Sequence, residues 1–218
     1  MKRAFDLIVF DWDGTLVDST AHIAVSLQRS CVDLGIAAPS DSSARYVIGL
    51  GFEDAIRHVA PDLPASRYPE LVNRYRVHYV SGEETVVMFP GVTRGLRELR
   101  AGGHLIAIAT GKSRRGLDRA LALTSLDQYT DASRCADEGF AKPHPGMLLW
   151  LMQELAVAPA RTLMVGDTTH DLQMARSAGV SAVAATYGAH SRDMLEEHEP
   201  VACLASFKEF LQWMRSAA

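Results

Sequence analysis

Two carboxylates two residues apart, Asp11 and Asp13, sit where the apolar run Leu7-Ile8-Val9-Phe10 meets the turn-forming pair Gly14-Thr15. In an extended chain alternate side chains share a face, so both acids point the same way. Their like charges repel and raise a pKa unless a cation or a proton sits between them. That is a costly way to end a strand and a good way to hold a divalent cation beside a nucleophile. The plainer alternative is a strand-ending Asx turn carrying two solvated carboxylates.

Three further clusters bear on the same chemistry. Ala109-Thr110-Gly111-Lys112-Ser113 follows a second apolar run, and a hydroxyl with a glycine backbone N–H at a strand end suits phosphoryl oxygens. Lys142 stands before Pro143-His144-Pro145, where two prolines restrict the backbone and hold the ammonium as a point charge for phosphate. Val165-Gly166-Asp167-Thr168-Thr169-His170-Asp171 closes another run, with Asp167 at the strand tip as an oxygen ligand for a hard cation. Asp171 falls near a helix start, which favours anions in its own right. His170 has no HxxxH or cysteine partner and, with His22, His144 and His190, is read as a non-ligand. Each of these clusters is ambiguous taken singly: a Thr-Gly turn and a lone lysine are common in any α/β protein.

The elements that must position these groups alternate between short β-rich runs and helical patterns. Strands are expected at Phe5–Phe10, His104–Ala109, Asp127–Ala132, Thr162–Val165 and Ser181–Ala184, and a helix at Val92–Arg100 closing on Gly102-Gly103. Apolar runs without alternation, separated by helices, indicate a parallel sheet covered on both faces. A helix over Pro145–Ala156 carries Leu148, Leu151, Met152 and Leu155 on one side, with Trp150 off that face and partly exposed. Residues 18–85 hold several helical patterns and no convincing strand, far more chain than a crossover helix needs. Ile23, Leu27, Cys31 and Leu34 form one stripe, followed by Gly35 as a helix C′ glycine; Tyr68, Leu71, Tyr75 and Tyr79 form a second. The reading is an α/β Rossmann-like parallel-sheet core over 1–17 and 86–218, with an inserted all-helical cap over 18–85. All four clusters then lie at the carboxyl ends of parallel strands, where open α/β sheets bind ligands.

The chain has 218 residues, is 48% hydrophobic and 22% charged, and carries a net charge of −4. That length suffices for a sizeable core. No basic tract points to nucleic acid, and no run nears the roughly 18 apolar residues of a membrane span. Lys2-Arg3 before apolar residues hints at a signal peptide, but Asp6, Asp11 and Asp13 interrupt any apolar core for one. Cys31, Cys135 and Cys203 are odd in number and widely spaced, which reads as unpaired thiols in a reducing cytoplasm.

The order DWDGTLVDS, ATGKS, KPHP and GDTTHD, with YVIGLG (Tyr46 to Gly51) inside the helical insert, resembles the haloacid dehalogenase-like superfamily and its phosphoglycolate phosphatase-like members. The resemblance implies a first strand lying centrally, between those at 162–165 and 104–109. It implies Asp11 as a nucleophile forming an aspartyl-phosphate, and Asp13 as acid for the leaving alcohol and then base for water. Thr110, Gly111 and Lys142 would bind the phosphoryl group. Mg²⁺ would be held by Asp11, the main-chain carbonyl of Asp13 and Asp167, with Asp171 in support. The expected substrate is a small phosphoglycolate-like phosphomonoester, and the expected assembly a monomer or homodimer with no nucleic-acid or membrane partner. The presence of Asp13 favours phosphate esters over haloacids, and the absence of lysine from 18–85 disfavours phosphonate cleavage by a Schiff base. A sugar-phosphate mutase shares the core and stays open, as do a phospho-signalling domain and a catalytically idle metabolite binder. Gly49-Leu50-Gly51 is a candidate for close approach to the substrate, and Arg45, Lys112 and Arg114 for binding a carboxylate. Trp12, where relatives often show Leu, is a departure with no expected effect on mechanism.

Overall fold

In the computed structural model, which describes residues 4–83 and 86–216, β1 (Leu7–Phe10) is buried along its whole length because the sheet is covered on both faces. Ile8 and Phe10 face one apolar cluster, and Leu7 and Val9 face another. Around β1 run β4 (Leu105–Thr110), β5 (Ala132–Cys135), β6 (Thr162–Gly166), β7 (Ser181–Ala185) and β8 (Ala202–Leu204), in the order β5-β4-β1-β6-β7-β8, every pair parallel. The first strand is therefore central, flanked as expected. Register sets the height of the strand tips. Phe10 pairs with both Ile108 and Val165, so Asp11, Thr110 and Asp167 leave the sheet at nearly one level.

One face of the sheet is packed by α5 (Val92–Ala101), α6 (Arg114–Thr124) and α10 (Phe207–Ser216), through Leu96, Leu117, Phe207 and Phe210. The other is packed by α7 (Gly146–Glu154) and α8 (Thr169–Ser177). The expected stripe of α7 is inside: Leu148, Leu151 and Met152 are buried, and Leu155 packs on the same cluster just past the helix end. Trp150 is half-buried, with the Arg134 guanidinium 4.5 Å above its ring. The short α9 (Arg192–Glu196) lies between β7 and β8.

Between β1 and β4 come α1 (Thr20–Asp33), α2 (Asp41–Tyr46), α3 (Phe52–Val59) and α4 (Tyr68–Gly82), which share an apolar cluster of their own including Leu27, Cys31, Val47, Ile56 and Leu71. Gly35 follows α1 in the left-handed region, at φ +69°, as a C′ glycine should. A two-stranded ribbon, β2 (Val17–Asp18) against β3 (Val87–Met88), ties the entry of this segment to its exit.

Two expectations need correction, and one edge strand lies outside all of them. The strand expected at Asp127–Ala132 is displaced: Asp127–Tyr129 is a 3₁₀ turn, and β5 begins at Ala132. Gln128 and Thr130 side chains bond the Ser125 and Leu126 carbonyls, satisfying the backbone locally, and ladder pairing starts only at Ala107 opposite Ala132. The ribbon places Val17-Asp18 in extended chain at the start of a segment read as strand-free. The edge strand β8 went unrecognised because three residues are too short to show a period. Cys31 and Cys135 are buried and Cys203 half-buried, all three as free thiols. No described helix is long and apolar enough to cross a membrane.

Phe210 meets Phe10 edge-on at 5.5 Å and Phe207 at 5.5 Å, beneath the strand that carries Asp11. Phe210→Ala should lower the unfolding free energy by about 3–5 kcal/mol in denaturant titrations. A loss under about 1 kcal/mol would mean that α10 does not support the sheet.

Candidate active site

Asp11, Asp167 and Asp171 meet at the tips of β1 and β6: one carboxylate oxygen from each lies within 4.8 Å of the others, and all three residues are buried. Lys142, also buried, reaches between them, with its Nζ 2.8 Å from Asp11 Oδ1 and 2.7 Å from Asp171 Oδ1. It arrives on the turn before α7, across a cis peptide to Pro143. Burial alone would pull this ammonium down, but the facing carboxylates of Asp11 and Asp171 outweigh it and hold its pKa above the ordinary lysine value. One cation does not neutralise three anions. Burial pushes the Asp11 carboxyl well up; Lys142 opposes this, and Asp171 and Asp167 add to it. Burial, reinforced by Asp171, likewise raises Asp167 to about 7, against hydrogen bonds from Thr15 and the Ala189 N–H.

Each acid is aimed by its surroundings. Trp12 N–H donates to Asp11 Oδ1 at 2.6 Å, while Asp11 Oδ2 is buried without a hydrogen-bond partner. Asp167 accepts from Thr15 Oγ1 on Oδ1 and from Ala189 N–H on Oδ2, both at 2.7 Å. Gly14, at φ +79°, packs so tightly on Asp167 that a Cβ there would overlap its carboxylate. Asp171 is the N3 residue of a capping box: Thr168 Oγ1 donates to its Oδ2 at 2.7 Å, and its Oδ1 stays turned toward Lys142. Asp171 thus caps α8 and at the same time faces Lys142.

Asp13 goes elsewhere. Its Oδ1 accepts from Ser19 Oγ at 2.7 Å and lies 3.1 Å from Lys112 Nζ, so its carboxylate stands outside the acidic triad. The turn after Phe10 breaks the strand's two-residue alternation, which is why the two acids do not point alike. Lys112 also donates to the Tyr79 hydroxyl at 2.9 Å and sits 4.5 Å above that ring. Burial disfavours its charge, but Asp13, Tyr79 and Tyr75 together outweigh this, and its pKa lies above the ordinary value. Thr110 is buried at the tip of β4, where its Oγ1 accepts the Lys112 N–H at 3.2 Å and keeps its own proton to donate.

The helical segment closes over this group. A Cβ on Gly111 would lie 2.6 Å from the Gly49 carbonyl, so the two glycines bring segment and core backbone into direct contact. Gly49, at φ +90°, faces Asp11 Oδ2 and the Thr168 side chain. His170 and His190 both direct Nε2 at the Tyr46 carbonyl, at 2.8 and 3.0 Å, and Tyr46 stacks on His190. His190 Nδ1 accepts the Thr169 N–H, so its proton is on Nε2, and burial lowers its pKa to about 4. His22 is bonded to the Tyr79 carbonyl, and His144 Nδ1 accepts the Gly146 N–H.

Of the candidate carboxylate-binding cations, Arg114 turns away to Glu138 and Ser133, and Arg45 pairs with Asp41 and reaches Thr20. Sequence reasoning missed three contributors. Thr15 and Ser19 were visible as hydroxyls beside the first acidic pair, whereas the Gly188-Ala189 loop after β7 carries no signal of its own.

The family model described as haloacid dehalogenase-like hydrolase matches residues 8–185. The probable phosphatase IndB of Dickeya dadantii is 36% identical over 208 residues, 93% of this chain and 90% of that protein. A phosphoglycolate phosphatase of Pseudomonas putida is 29% identical over 201 residues, covering 89% and 74%. Among solved structures, a hydrolase from Pseudomonas syringae matches 98% of this chain and 99% of its own with a TM-score of 0.90 at 18% identity. A predicted phosphoglycolate phosphatase from Haemophilus somnus matches 97% and 99% with a TM-score of 0.86 at 24% identity. The chain belongs to the haloacid dehalogenase-like hydrolase family, where the phosphoglycolate phosphatase-like phosphoric monoester hydrolases are its kin.

Proposed function

We propose that the protein is a Mg²⁺-dependent phosphatase that hydrolyses a small phosphomonoester through a phosphorylated Asp11, with residues 1–17 and 86–218 as the catalytic core and 18–85 as a cap. The observation that carries this reading is Asp11 Oδ2: a buried anionic oxygen with no hydrogen-bond partner, facing Gly49 and set among Asp167, Asp171 and Lys142. Leaving such an oxygen unpaired is costly, and the cost is rational where an electrophile and a cation are to be met.

The donor set suits a hard dication: carboxylate oxygens only, buried, and mutually destabilised without a counter-charge. Asp11 and Asp167 would hold it, with Asp171 in support; the carboxylate of Asp13 is committed elsewhere, so Asp13 would contribute through its main-chain carbonyl, as the family resemblance implies. When bound, the ion supplies charge neutralisation between an anionic nucleophile and an anionic substrate. The chain's own groups do the rest. Asp11 attacks phosphorus while Lys142 and the Thr110 hydroxyl hold the phosphoryl oxygens in place. The bond from phosphorus to the alcohol oxygen breaks, and Asp13 gives that oxygen its proton. Asp13, now a carboxylate, takes a proton from water, which attacks phosphorus, breaks the bond to Asp11 and releases orthophosphate. Ser19 and Lys112 anchor one oxygen of Asp13 throughout.

Phosphate release from 4-nitrophenyl phosphate should require Mg²⁺, stop with EDTA, and fall at least about 10³-fold in Asp11→Asn. Near-normal turnover in that variant would refute Asp11 as nucleophile.

A second expectation concerns pH. Asp167, raised to about 7, takes up a proton on folding at mildly acidic pH, so its contribution to stability is lost as pH rises from about 4 through 7. His190, lowered to about 4, works oppositely, adding stability as pH rises from about 4 through the ordinary histidine value. The difference between melts with and without Mg²⁺ cancels the histidines and isolates the carboxylates. The stabilisation by Mg²⁺ should be small at pH 5 and larger by on the order of 1–3 kcal/mol at pH 8. A shift independent of pH would show that the ion does not compete with protons at the triad.

A further inference from the structure

We infer that the alcohol portion of the substrate is apolar and ring-bearing, rather than a compact carboxylate such as glycolate. The inference deepens the phosphatase reading and rests on it for the direction in which the ester lies. A cavity of about 130 Å³ has Asp11 and Asp13 at its floor and runs from them into the helical segment, between α1, the 47–50 turn, α3 and α4. With phosphorus beside Asp11 and the leaving oxygen beside Asp13, the remainder of the alcohol has this space to enter.

The wall is what decides the class. Beyond the acids it is built from Ile23, Leu27, Ile48, Phe52, Tyr75 and Tyr79 among other apolar groups. Tyr75 and Tyr79 stack at 5.8 Å, and Phe52 meets Tyr75 edge-on at 5.3 Å, giving a continuous aromatic side. A glycolate carboxylate would need an uncommitted cation inside. Lys112 is already held by Asp13 and the Tyr79 hydroxyl, and Arg119 by Glu83 at 2.8 Å. Arg76, the remaining described cation on the lining, is exposed. A carboxylate placed here would lose its water and gain an apolar wall, whereas a ring would leave water for an aromatic surface. The space is large enough for a single ring. The phosphoglycolate-like substrate implied by the family resemblance therefore does not match this chain's pocket.

The test uses esters with leaving alcohols of similar basicity. In the presence of Mg²⁺, benzyl phosphate should be hydrolysed with a kcat/KM about 10- to 100-fold above that of ethyl phosphate, and above that of phosphoglycolate. Calorimetric binding should follow the same ranking for the non-hydrolysable benzylphosphonate, methylphosphonate and phosphonoacetate. Phe52→Asn and Val72→Asn, both on half-buried parts of the wall, should each reduce the benzyl-to-ethyl ratio at least about tenfold. Equal or inverted rankings in the wild-type protein, in hydrolysis or in binding, would overturn the inference. No hydrolysis of any ester, with the phosphonate ranking intact, would overturn the phosphatase reading while supporting the apolar subsite.

Discussion

Three carboxylates buried within 4.8 Å of one another, with a single ammonium between them, set the terms for the rest of the molecule. Burial penalises each charge, and proximity penalises it again, so the carboxyls of Asp11 and Asp167 lie above their ordinary values and the fold must do work to assemble them. That work is drawn from elsewhere: from the apolar packing of a central strand on both faces, and from hydrogen bonds that hold individual oxygens in place. A cluster of this kind is unfavourable as plain structure. It becomes reasonable when the missing positive charge arrives with a cation and when the open lone pair on Asp11 has an electrophile to meet.

The surroundings divide the labour among the acids. Asp167 is held in place by Thr15, Ala189 and two glycines packed against its carboxylate, which leaves it little freedom to move. Asp171 is fixed by the cap of its own helix. Asp11 keeps Oδ2 open, whereas Asp171 Oδ1 is turned to Lys142. Asp13 is held apart from the cluster by Ser19 and Lys112. Lys112 in turn leans on Tyr79, so the group that steadies the acid is itself held by a helix of the inserted segment. The core site and the inserted segment are thereby in physical contact, through Lys112 and Tyr79 and through the Gly49 and Gly111 backbones.

Much of this was legible along the chain. The uninterrupted apolar runs at 7–10, 105–109 and 163–165 announce strands buried on both faces, and the stripes at Ile23–Leu34 and Tyr68–Tyr79 announce a helical insert, because burial writes a period into the residues that experience it. Edge elements were harder to see. The strand at Ala132–Cys135 and the three-residue β8 are half-buried and too short to carry a period, and the pairing of Val17-Asp18 with Val87-Met88 joins positions about 70 residues apart.

Local spacing on its own determined the order of the main elements, the presence of acids and a hydroxyl at strand ends and of a lysine before a helix, and the capping reading of Asp171, since each depends on residues within one turn or one strand. Tertiary structure decided which oxygens face one another. Asp11 and Asp13 share a face only while the chain stays extended, and the turn after Phe10 sends Asp13 toward Lys112 instead. Thr15 reaches Asp167 across 152 residues, and the apolar wall above the acids combines side chains of α1, α3 and α4. Contacts between distant segments leave no periodic trace in either segment; they exist only once the sheet has brought its strand tips to a common level.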